Sequence, residues 1–440
     1  MEPQRLWIAL CAACEKGRPE IVKLLLSDNR VDINQVNNNN GETPIYIACE
    51  NGRIEIVKLL LNDQRVDINK ANRNNQTPFW TACKYGYFDI VKLLLSDERV
   101  DINKPNRNNQ TPFFIACSIK QIEIVELLLS DKRVDINKAD NNDWTSFYIA
   151  CRWGQNEIVK LLLNDLRVDI NKTDNYSQTP FYIVCENGNI EIVKLLLNDE
   201  RVEINQVNIF GWTPFYTACS KRHIEIVKLL LNDERFDINK ANKNDQTPFY
   251  NACENGWIEI VKLLLNDKRV DINKPASYDV TPFNISCFRG HIEIVKLLLN
   301  DERVDINKSN KYGTTPFHHV CYNGYVKIVK LLLNDNRVDI NKSNDDGKTP
   351  FCISCGNGKI EIVKYLLACR RGIDVNKKDN KGKNALDWAR QNGKTKIIEL
   401  IESFLNSPSE TRTKLRIELG IAGKSFYFFK ILFSFLSSSS

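Results

Sequence analysis

Residues 77–104 read TPFWTACKYGYFDIVKLLLSDERVDINK, and variants of this stretch recur every 34 residues along most of the chain. The opening Thr-Pro pair stands at residues 43, 77, 111, 179, 213, 247, 281, 315 and 349, and Thr145-Ser146 takes its place in the remaining unit. A fixed period of this length is typical of a solenoid, in which each unit packs against its neighbours alone. Such a stack is expected to present a surface rather than to enclose a catalytic pocket.

One unit contains the signals for two short helices. Thr77 is predicted to cap a first helix that begins at Pro78, and Gly86 is predicted to end it in the left-handed conformation. Residues 88–95 are apolar around much of a helical circumference, as expected for a helix between two neighbours. Residues 100–103 alternate in polarity, which predicts a short extended segment before the next turn.

This order of helix, glycine turn, helix and finger resembles the ankyrin repeat, and the resemblance covers residues 6–405. The quoted stretch is similar to the family pattern Thr-Pro-Leu-His-Leu-Ala-Ala, Gly, Ile-Val, Leu-Leu-Leu and Asp-Val-Asn. The resemblance implies an all-α solenoid of about twelve stacked helix-turn-helix repeats with short β-hairpin-like fingers. Two departures stand out: the extra thirty-fourth residue falls at 97–101, so a reshaped finger base is expected, and only His318 keeps the motif histidine.

The repeat pattern also predicts the organisation of the chain. Residues 1–37 lack Thr-Pro and are expected to form an N-terminal capping repeat, followed by ten ankyrin-type repeats over 38–371. Residues 372–405 are expected to form a C-terminal capping repeat with a polar outer face. Residues 406–440 form an aperiodic hydrophobic tail.

The composition is that of an ordinary soluble protein, with 26% charged and 42% apolar residues. A net charge of +6 over 440 residues is too small to predict nucleic-acid binding. Residues 1–17 have an acidic second residue and no cleavage-like site, so no signal peptide is expected there. Together with fourteen cysteines, this predicts a reducing compartment. We therefore expect a cytoplasmic monomer, with the nucleus or the membrane periphery as alternative locations.

No constellation of residues predicts catalysis, a cofactor or a metal. The cysteine that recurs in each repeat takes the place of a small buried residue, and equivalent atoms about 8–10 Å apart exceed disulfide reach. The pairs Cys11/Cys14 and Cys352/Cys355 each lie within one predicted helix without a second ligand pair nearby, which favours core packing. His318 is expected to be structural, and no nucleotide-binding glycine motif occurs. The protein is therefore predicted not to be an enzyme.

The positions that vary between repeats are where partner recognition is expected. The ankyrin resemblance places it on the finger tips and on the two residues before the glycine turn, along the concave side. Aromatic side chains accumulate at these positions, and aromatics are typical interface anchors; the candidates are Trp144, Trp153, Tyr176, Phe210, Trp212, Tyr278, Phe288, Tyr312 and Tyr322. The predicted partner is a protein, although some of these rings could instead fill gaps between adjacent fingers. Finger cations such as Arg99 and Lys104 leave a polyanion groove as a further alternative, although acidic neighbours stand beside them.

The tail leaves three interpretations open. After a predicted linker at 407–409, residues 417–436 form an apolar stretch interrupted by Glu418, Lys424 and Lys430. Charges at membrane depth are costly, so the alternatives are contact with a membrane, docking onto the last repeat, and a poorly ordered tail. A membrane-associated adaptor that links a membrane to cytoskeletal or cytosolic proteins is the alternative function.

Weak points in the stack are predicted near residues 118–160. Ser146 replaces the usual proline, and polar Asn156 replaces an apolar side chain. Lys120 and Arg222 replace the turn glycine, at a cost of about 1 kcal/mol if the left-handed conformation is kept.

Overall fold

A computed structural model of the protein describes residues 3–421, and this part of the chain contains 25 α-helices and no strand. One isolated antiparallel bridge joins Ala276 to Val280, around a single 3-10 turn at Ser277–Asp279. The helices are α1 (Pro3–Lys16), α2 (Pro19–Leu26), α3 (Pro44–Glu50), α4 (Ile54–Leu61), α5 (Pro78–Tyr85), α6 (Phe88–Leu95), α7 (Pro112–Ser118), α8 (Ile122–Ser130), α9 (Ser146–Arg152), α10 (Asn156–Leu163), α11 (Pro180–Asn187), α12 (Ile190–Leu197), α13 (Pro214–Ser220), α14 (Ile224–Leu231), α15 (Pro248–Asn255), α16 (Ile258–Asn266), α17 (Pro282–Arg289), α18 (Ile292–Leu299), α19 (Pro316–Asn323), α20 (Val326–Asn334), α21 (Pro350–Gly356), α22 (Ile360–Ala368), α23 (Ala385–Gln391), α24 (Thr395–Asn406) and α25 (Pro408–Glu418). The predicted all-α repeat architecture is confirmed.

The helix boundaries follow the predicted local chemistry. The backbone amide of Trp80 donates to the side-chain oxygen of Thr77 at 3.1 Å, so the threonine satisfies one of the free amides of the first turn. Thr145 caps its helix in the same way although Ser146 follows it instead of proline. Gly86 ends α5 with φ = 77°, a conformation that is inexpensive for glycine.

The fingers are built from turns, and the predicted extended segment at 100–103 is therefore wrong. The Asp101 carboxylate accepts from the Asn103 amide at 3.2 Å, which closes a local turn instead of leaving the backbone for strand pairing. The Asn69 side chain spans two repeats, since its amide group donates to the Arg99 carbonyl at 2.7 Å and its oxygen accepts from the Asp101 amide at 2.8 Å. At the tip, the Asn106 amide donates to the Gln110 carbonyl at 3.0 Å and closes a hairpin-like turn.

The extra residue of the 34-residue period lies in a recurrent contact that we term the Asp-x-Arg bracket. The Arg99 guanidinium donates to the Asp97 carboxylate at 2.7 Å and to the Leu61 carbonyl, at the end of α4, at 2.8 Å. It therefore binds an unsatisfied carbonyl at the C-terminus of the preceding second helix. The same bond to the preceding repeat is made by Arg65, Arg133, Arg167, Arg201, Arg269, Arg303 and Arg337. The finger base is therefore joined to the preceding repeat by an arginine side chain.

Two compact units divide the chain, unit 1 at Met1–Ile226 and unit 2 at Val227–Ser440. Each unit has a core of first-helix and second-helix side chains, with Phe79, Cys83 and Leu94 almost completely buried in unit 1 and Phe283 and Leu298 in unit 2. Within each unit, first helices of successive pairs pack on each other and second helices do the same, which gives the layered core of a repeat stack.

The tail begins with a helix that packs on the repeats. Pro408 starts α25, so the predicted linker at 407–409 is wrong at Pro408 and Ser409; proline is well tolerated at the first position of a helix. Helix α25 contacts α22 and α24, with Leu415 almost fully buried between them. Arg412 donates to the Leu367 carbonyl at 3.4 Å and Arg416 donates to the Ala368 carbonyl at 3.2 Å. Helix α25 thus supplies to the end of α22 the cations that Asp-x-Arg brackets supply to earlier helices.

Candidate partner-binding surfaces

Three of the five candidate aromatics in unit 1 are well exposed. Trp153 is 65% exposed, Tyr176 56% and Phe210 53%. Trp153 follows the first helix α9, whereas Tyr176 and Phe210 lie at finger tips. Single apolar side chains scattered over a protein surface are ordinary. Large aromatic side chains exposed together at one edge are instead typical of protein interfaces, so these rings are available to a partner.

The other two candidates in unit 1, Trp144 and Trp212, are half-buried because each ring lies on a tyrosine of the adjacent first helix. Trp144 stacks on Tyr148 with ring centroids 5.9 Å apart, and Trp212 stacks on Tyr216 at 5.4 Å. One side of each indole is therefore covered by the first helix that follows it. These contacts fix the orientation of the indoles, which reduces the side-chain entropy that a partner would have to restrain.

Cations and a second ring complete these two aromatic clusters. The Arg152 guanidinium lies 4.8 Å from the Trp144 ring centroid, within cation–π distance. Phe210 lies against Trp212 at 5.9 Å between centroids and remains more than half exposed. Each cluster therefore has an inner ring that rests on the repeat framework, and Phe210 provides an outer ring that faces solvent.

Three of the four candidates in unit 2 make aromatic contacts, and the fourth, Tyr322, is exposed. Tyr278 and Tyr312, on successive fingers, stack with centroids 6.5 Å apart, and the Lys311 ammonium lies 3.7 Å from the Tyr278 centroid. Phe288 meets His319 edge to face at 5.2 Å. Tyr322 is 54% exposed on the first helix α19.

Two cavities in unit 2 lie at equivalent positions of repeats that are two apart. The first encloses about 530 Å³ and is lined by residues that include Asn284 and Phe288. The second encloses about 320 Å³ and is lined by the corresponding residues Cys352 and Gly356, with Trp388. The sequence-based set of partner-binding residues contains Phe288 but neither Asn284 nor Cys352. The position of these two residues within the repeat does distinguish them.

That position lies three residues after the capping threonine, and we term the side chain there the register ring. Eight of ten repeats have an aromatic side chain there, namely Tyr46, Trp80, Phe114, Tyr148, Tyr182, Tyr216, Tyr250 and His318. The ring reaches from the first helix to the next finger: Trp80 donates to the Gln110 carbonyl at 3.0 Å, and Tyr148 donates to the Asp174 carboxylate at 2.9 Å. Burial raises the pKa of the Tyr148 phenol, and the Asp174 charge adds to this. Asn284 and Cys352 are the two positions without a ring, and both line cavities.

The recurrent charges and cysteines belong to the framework. Arg99 and Arg133 are held by Asp97 and Asp131 within their own brackets, which weakens the polyanion-groove alternative at these residues. The repeat-register cysteines are free and buried, so the predicted core role is confirmed. Burial raises the pKa of the Cys321 thiol to about 12, which keeps it protonated and unreactive.

His318 has the structural role expected of the motif histidine. Its Nδ1 lies 2.7 Å from the Thr315 hydroxyl, and its Nε2 lies 3.0 Å from the Lys348 carbonyl oxygen in the next finger. Burial lowers the pKa of His318 to about 4, and it does the same to neighbouring His319. Within residues 3–421, no group of three or more His, Cys, Asp or Glu side chains is arranged to hold a metal ion.

The membrane-contact interpretation of residues 417–436 falls partly on α25 and partly outside the described residues. The Glu418 carboxylate accepts from the Lys364 ammonium at 2.7 Å, so this end of the stretch is bound to a repeat helix. Residues 422–436 lie outside the described part of the chain, and their membrane contact stays a prediction. None of the described helices is both long enough and apolar enough to cross a bilayer.

Comparison with known proteins identifies the repeat. The sequence model of the family described as ankyrin repeats (3 copies) matches residues 8–106, 98–174, 166–242, 234–310, 252–344 and 317–407. No curated protein matches the chain. The family matches extend over most of the sequence, and they include the finger and first-helix positions described above.

Proposed function

The chain belongs to the ankyrin-repeat family, and we propose that it is a non-enzymatic scaffold that binds a partner protein on the face formed by its first helices and finger tips. Ankyrin repeats mediate protein–protein interaction in general. The observation that supports this particular face is the set of exposed aromatics at positions that vary between repeats. Phe210 and Trp153 illustrate it, since both rings are more than half exposed at positions where most other repeats have polar side chains.

The Phe210–Trp212 cluster is the strongest anchor candidate in unit 1. Trp212 is held against Tyr216 and presents a fixed surface, whereas Phe210 packs on its outer side. A rigid aromatic pair of this kind loses little entropy on binding and buries a large apolar area. The clusters around Trp144 in unit 1 and around Tyr278 in unit 2 give each unit an aromatic anchor of its own.

Replacement of Phe210 and Trp212 by alanine tests the proposal. In a capture experiment from the native cell, with partners fixed by chemical crosslinking and identified by mass spectrometry, we expect the double variant to recover at least about tenfold less of the main partner, as for anchor residues generally. Leu166→Ala is the matched control, because Leu166 is 83% exposed but lies at a finger base away from the tips. Equal recovery by the folded double variant and the wild type would contradict the proposed face.

A further inference from the structure

The larger cavity in unit 2 has an identifiable origin in the repeat pattern. In two other repeats the register ring extends from the first helix to a carbonyl of the next finger, as Trp80 Nε1 does at 3.0 Å from the Gln110 oxygen and His318 Nε2 at 3.0 Å from the Lys348 oxygen. Asn284 makes the equivalent contact, since its side-chain Nδ2 donates to the Thr314 carbonyl at 3.3 Å. The hydrogen bond is retained but the ring is missing. The space of about 530 Å³ beside Asn284 is therefore where the other repeats place an aromatic side chain.

An unpaired acceptor lies beside this space. Asn284 is fully buried, and its Oδ1 has no hydrogen-bond partner. A buried polar atom without a partner is costly, so it favours a ligand that brings a donor. Phe288 and His319 meet edge to face at the cavity and offer it aromatic surface.

The lining of the cavity is uncharged, and the Lys311 ammonium lies outside it, 3.7 Å from the ring centroid of Tyr278. None of the described residues that line it carries a formal charge at neutral pH, because burial lowers the pKa of His319 to about 4 and keeps its imidazole uncharged. The second cavity differs, since Asp346 and Lys348 line it and the Lys348 ammonium lies 3.9 Å from the Trp388 ring centroid. An uncharged lining favours an uncharged ligand at Asn284. The second cavity, two repeats away, is a charged site for comparison.

The finger that forms one wall of the cavity lacks the side-chain hydrogen bonds that close the preceding finger tip. In the preceding finger the Asn242 oxygen accepts from the backbone amides of Asn244 and Gln246, whereas the equivalent residue in this finger is Ala276. Its tip contains two consecutive non-glycine residues with positive φ, Tyr278 at 65° and Asp279 at 59°. The positive φ of Asp279 recurs at the equivalent tip residues of other repeats, whereas that of Tyr278 is particular to this finger and unfavourable for a bulky residue. Contact of a ligand with the covered Asn284 oxygen requires this tip to turn outward.

We infer that this cavity is a binding site for a tyrosine side chain of the partner protein, whose phenol occupies the missing register-ring position and donates to Asn284 Oδ1. Five of the eight register rings are tyrosines, so the repeat itself indicates the ring that fits this space. The inference rests on the proposed function and specifies one partner residue for it.

Titration of the full chain with N-acetyl-L-tyrosinamide, followed by ligand-observed NMR, tests the site without a partner. We expect weak, saturable binding to the wild type. Asn284→Tyr fills the cavity and should weaken binding at least about tenfold, whereas the matched variant Cys352→Tyr, which fills the second cavity, should bind as the wild type does. N-acetyl-L-phenylalaninamide, which cannot donate to Asn284 Oδ1, should bind at least about fivefold more weakly, the loss of about one hydrogen bond.

Undiminished binding to Asn284→Tyr, or equal binding of the phenylalanine and tyrosine amides, would overturn the inference. If Asn284→Tyr does not fold, Phe288→Ala provides the second test, and unchanged binding to it would overturn the inference equally. The outcome is separable from that of the Phe210 and Trp212 experiment. A failure here leaves partner capture through unit 1 intact, and a loss of the proposed function would leave the titration result unchanged.

Discussion

The Arg133 guanidinium donates to the Leu95 carbonyl oxygen at 2.8 Å while it holds the Asp131 carboxylate at 2.6 Å. Leu95 is the last residue of α6, and Arg133 lies in the finger base that follows α8. The bracket therefore joins the second helix of one repeat to the finger of the next. Because the bracket recurs along the chain, it contributes repeatedly to the interface free energy between neighbouring repeats. That interface free energy, together with the intrinsic stability of each repeat, determines the stability of a repeat stack.

Replacement of Arg133 by lysine should weaken this coupling. A lysine cannot bind the carboxylate through two donors and reach the carbonyl as well, so we expect the free energy of unfolding to fall by about 1 kcal/mol. Urea denaturation followed by circular dichroism measures this change. Lys132→Ala, at the exposed neighbouring position, should change stability by less than about 0.5 kcal/mol. Equal effects of the two variants would argue against a role for the bracket.

The pH dependence of stability should contain a contribution from His318. Its pKa is about 4 in the folded chain and about 6.5 when unfolded, so the unfolded state binds the proton more readily. The stabilisation associated with neutral His318 is complete above pH 6.5 and is lost as the pH falls from 6.5 towards 4.

His318→Tyr restores the commonest register ring and removes this titration. We expect the variant to lose less stability than the wild type between pH 7 and pH 5, as measured by the urea midpoint at each pH. Burial, the main cause of the lowered His319 pKa, remains in both proteins, so the difference between the two profiles reports mainly on His318. Parallel pH profiles for the two proteins would be inconsistent with this assignment.

Glycine at position 120 should stabilise unit 1. Lys120 has φ = 65° at the turn where most repeats have glycine, a conformation that costs a residue with a side chain about 1 kcal/mol. Lys120→Gly should therefore raise the free energy of unfolding by somewhat less than that amount, since glycine also gains freedom in the unfolded chain. Its salt bridge to Glu157 is exposed and contributes little.

Hydrogen exchange can locate this effect. The wild type should exchange faster near residues 118–160 than near 250–300, and Lys120→Gly should slow exchange around α7 and α8. Lys221→Gly is the control, because Lys221 has an ordinary right-handed conformation and glycine there should destabilise the helix end. Uniform protection of the two regions in the wild type would contradict the predicted weak point.

The attachment of α25 should depend on Leu415. Leu415→Asp places a charge among the buried contacts with α22 and α24, which is costly without a partner. We expect trypsin to cleave the variant at Arg412, Lys414 or Arg416 at least about tenfold faster than the wild type, as measured by mass spectrometry. Ile417→Asp is the matched control, since Ile417 is 41% exposed. Resistance of the Leu415 variant equal to that of the wild type would refute the docking of this helix.

The site was only partly predictable from the sequence. Trp153 and Phe210 are predictable because they interrupt a regular pattern, and both are exposed in the structure. The half-burial of Trp144 and Trp212 depends on the distance between a finger and its neighbouring first helix, which no pattern within one repeat contains. Asn284 is not predicted by this pattern, because an added aromatic ring marks a candidate site whereas Asn284 marks a ring that is missing.

The sequence alone determined the two-helix repeat, its helix caps and its buried cysteines. These depend on residues close together in the chain, such as Thr77 with Trp80 and the turn at Gly86. Tertiary structure decided what the finger base does, since Arg133 finds Leu95 only when two repeats stack. It also decided that α25 packs against α22, where Arg416 meets Ala368. The preference of a segment for a helix or a turn is encoded in neighbouring residues, whereas contacts between distant residues depend on how whole helices pack. The cavity at Asn284 results from that packing.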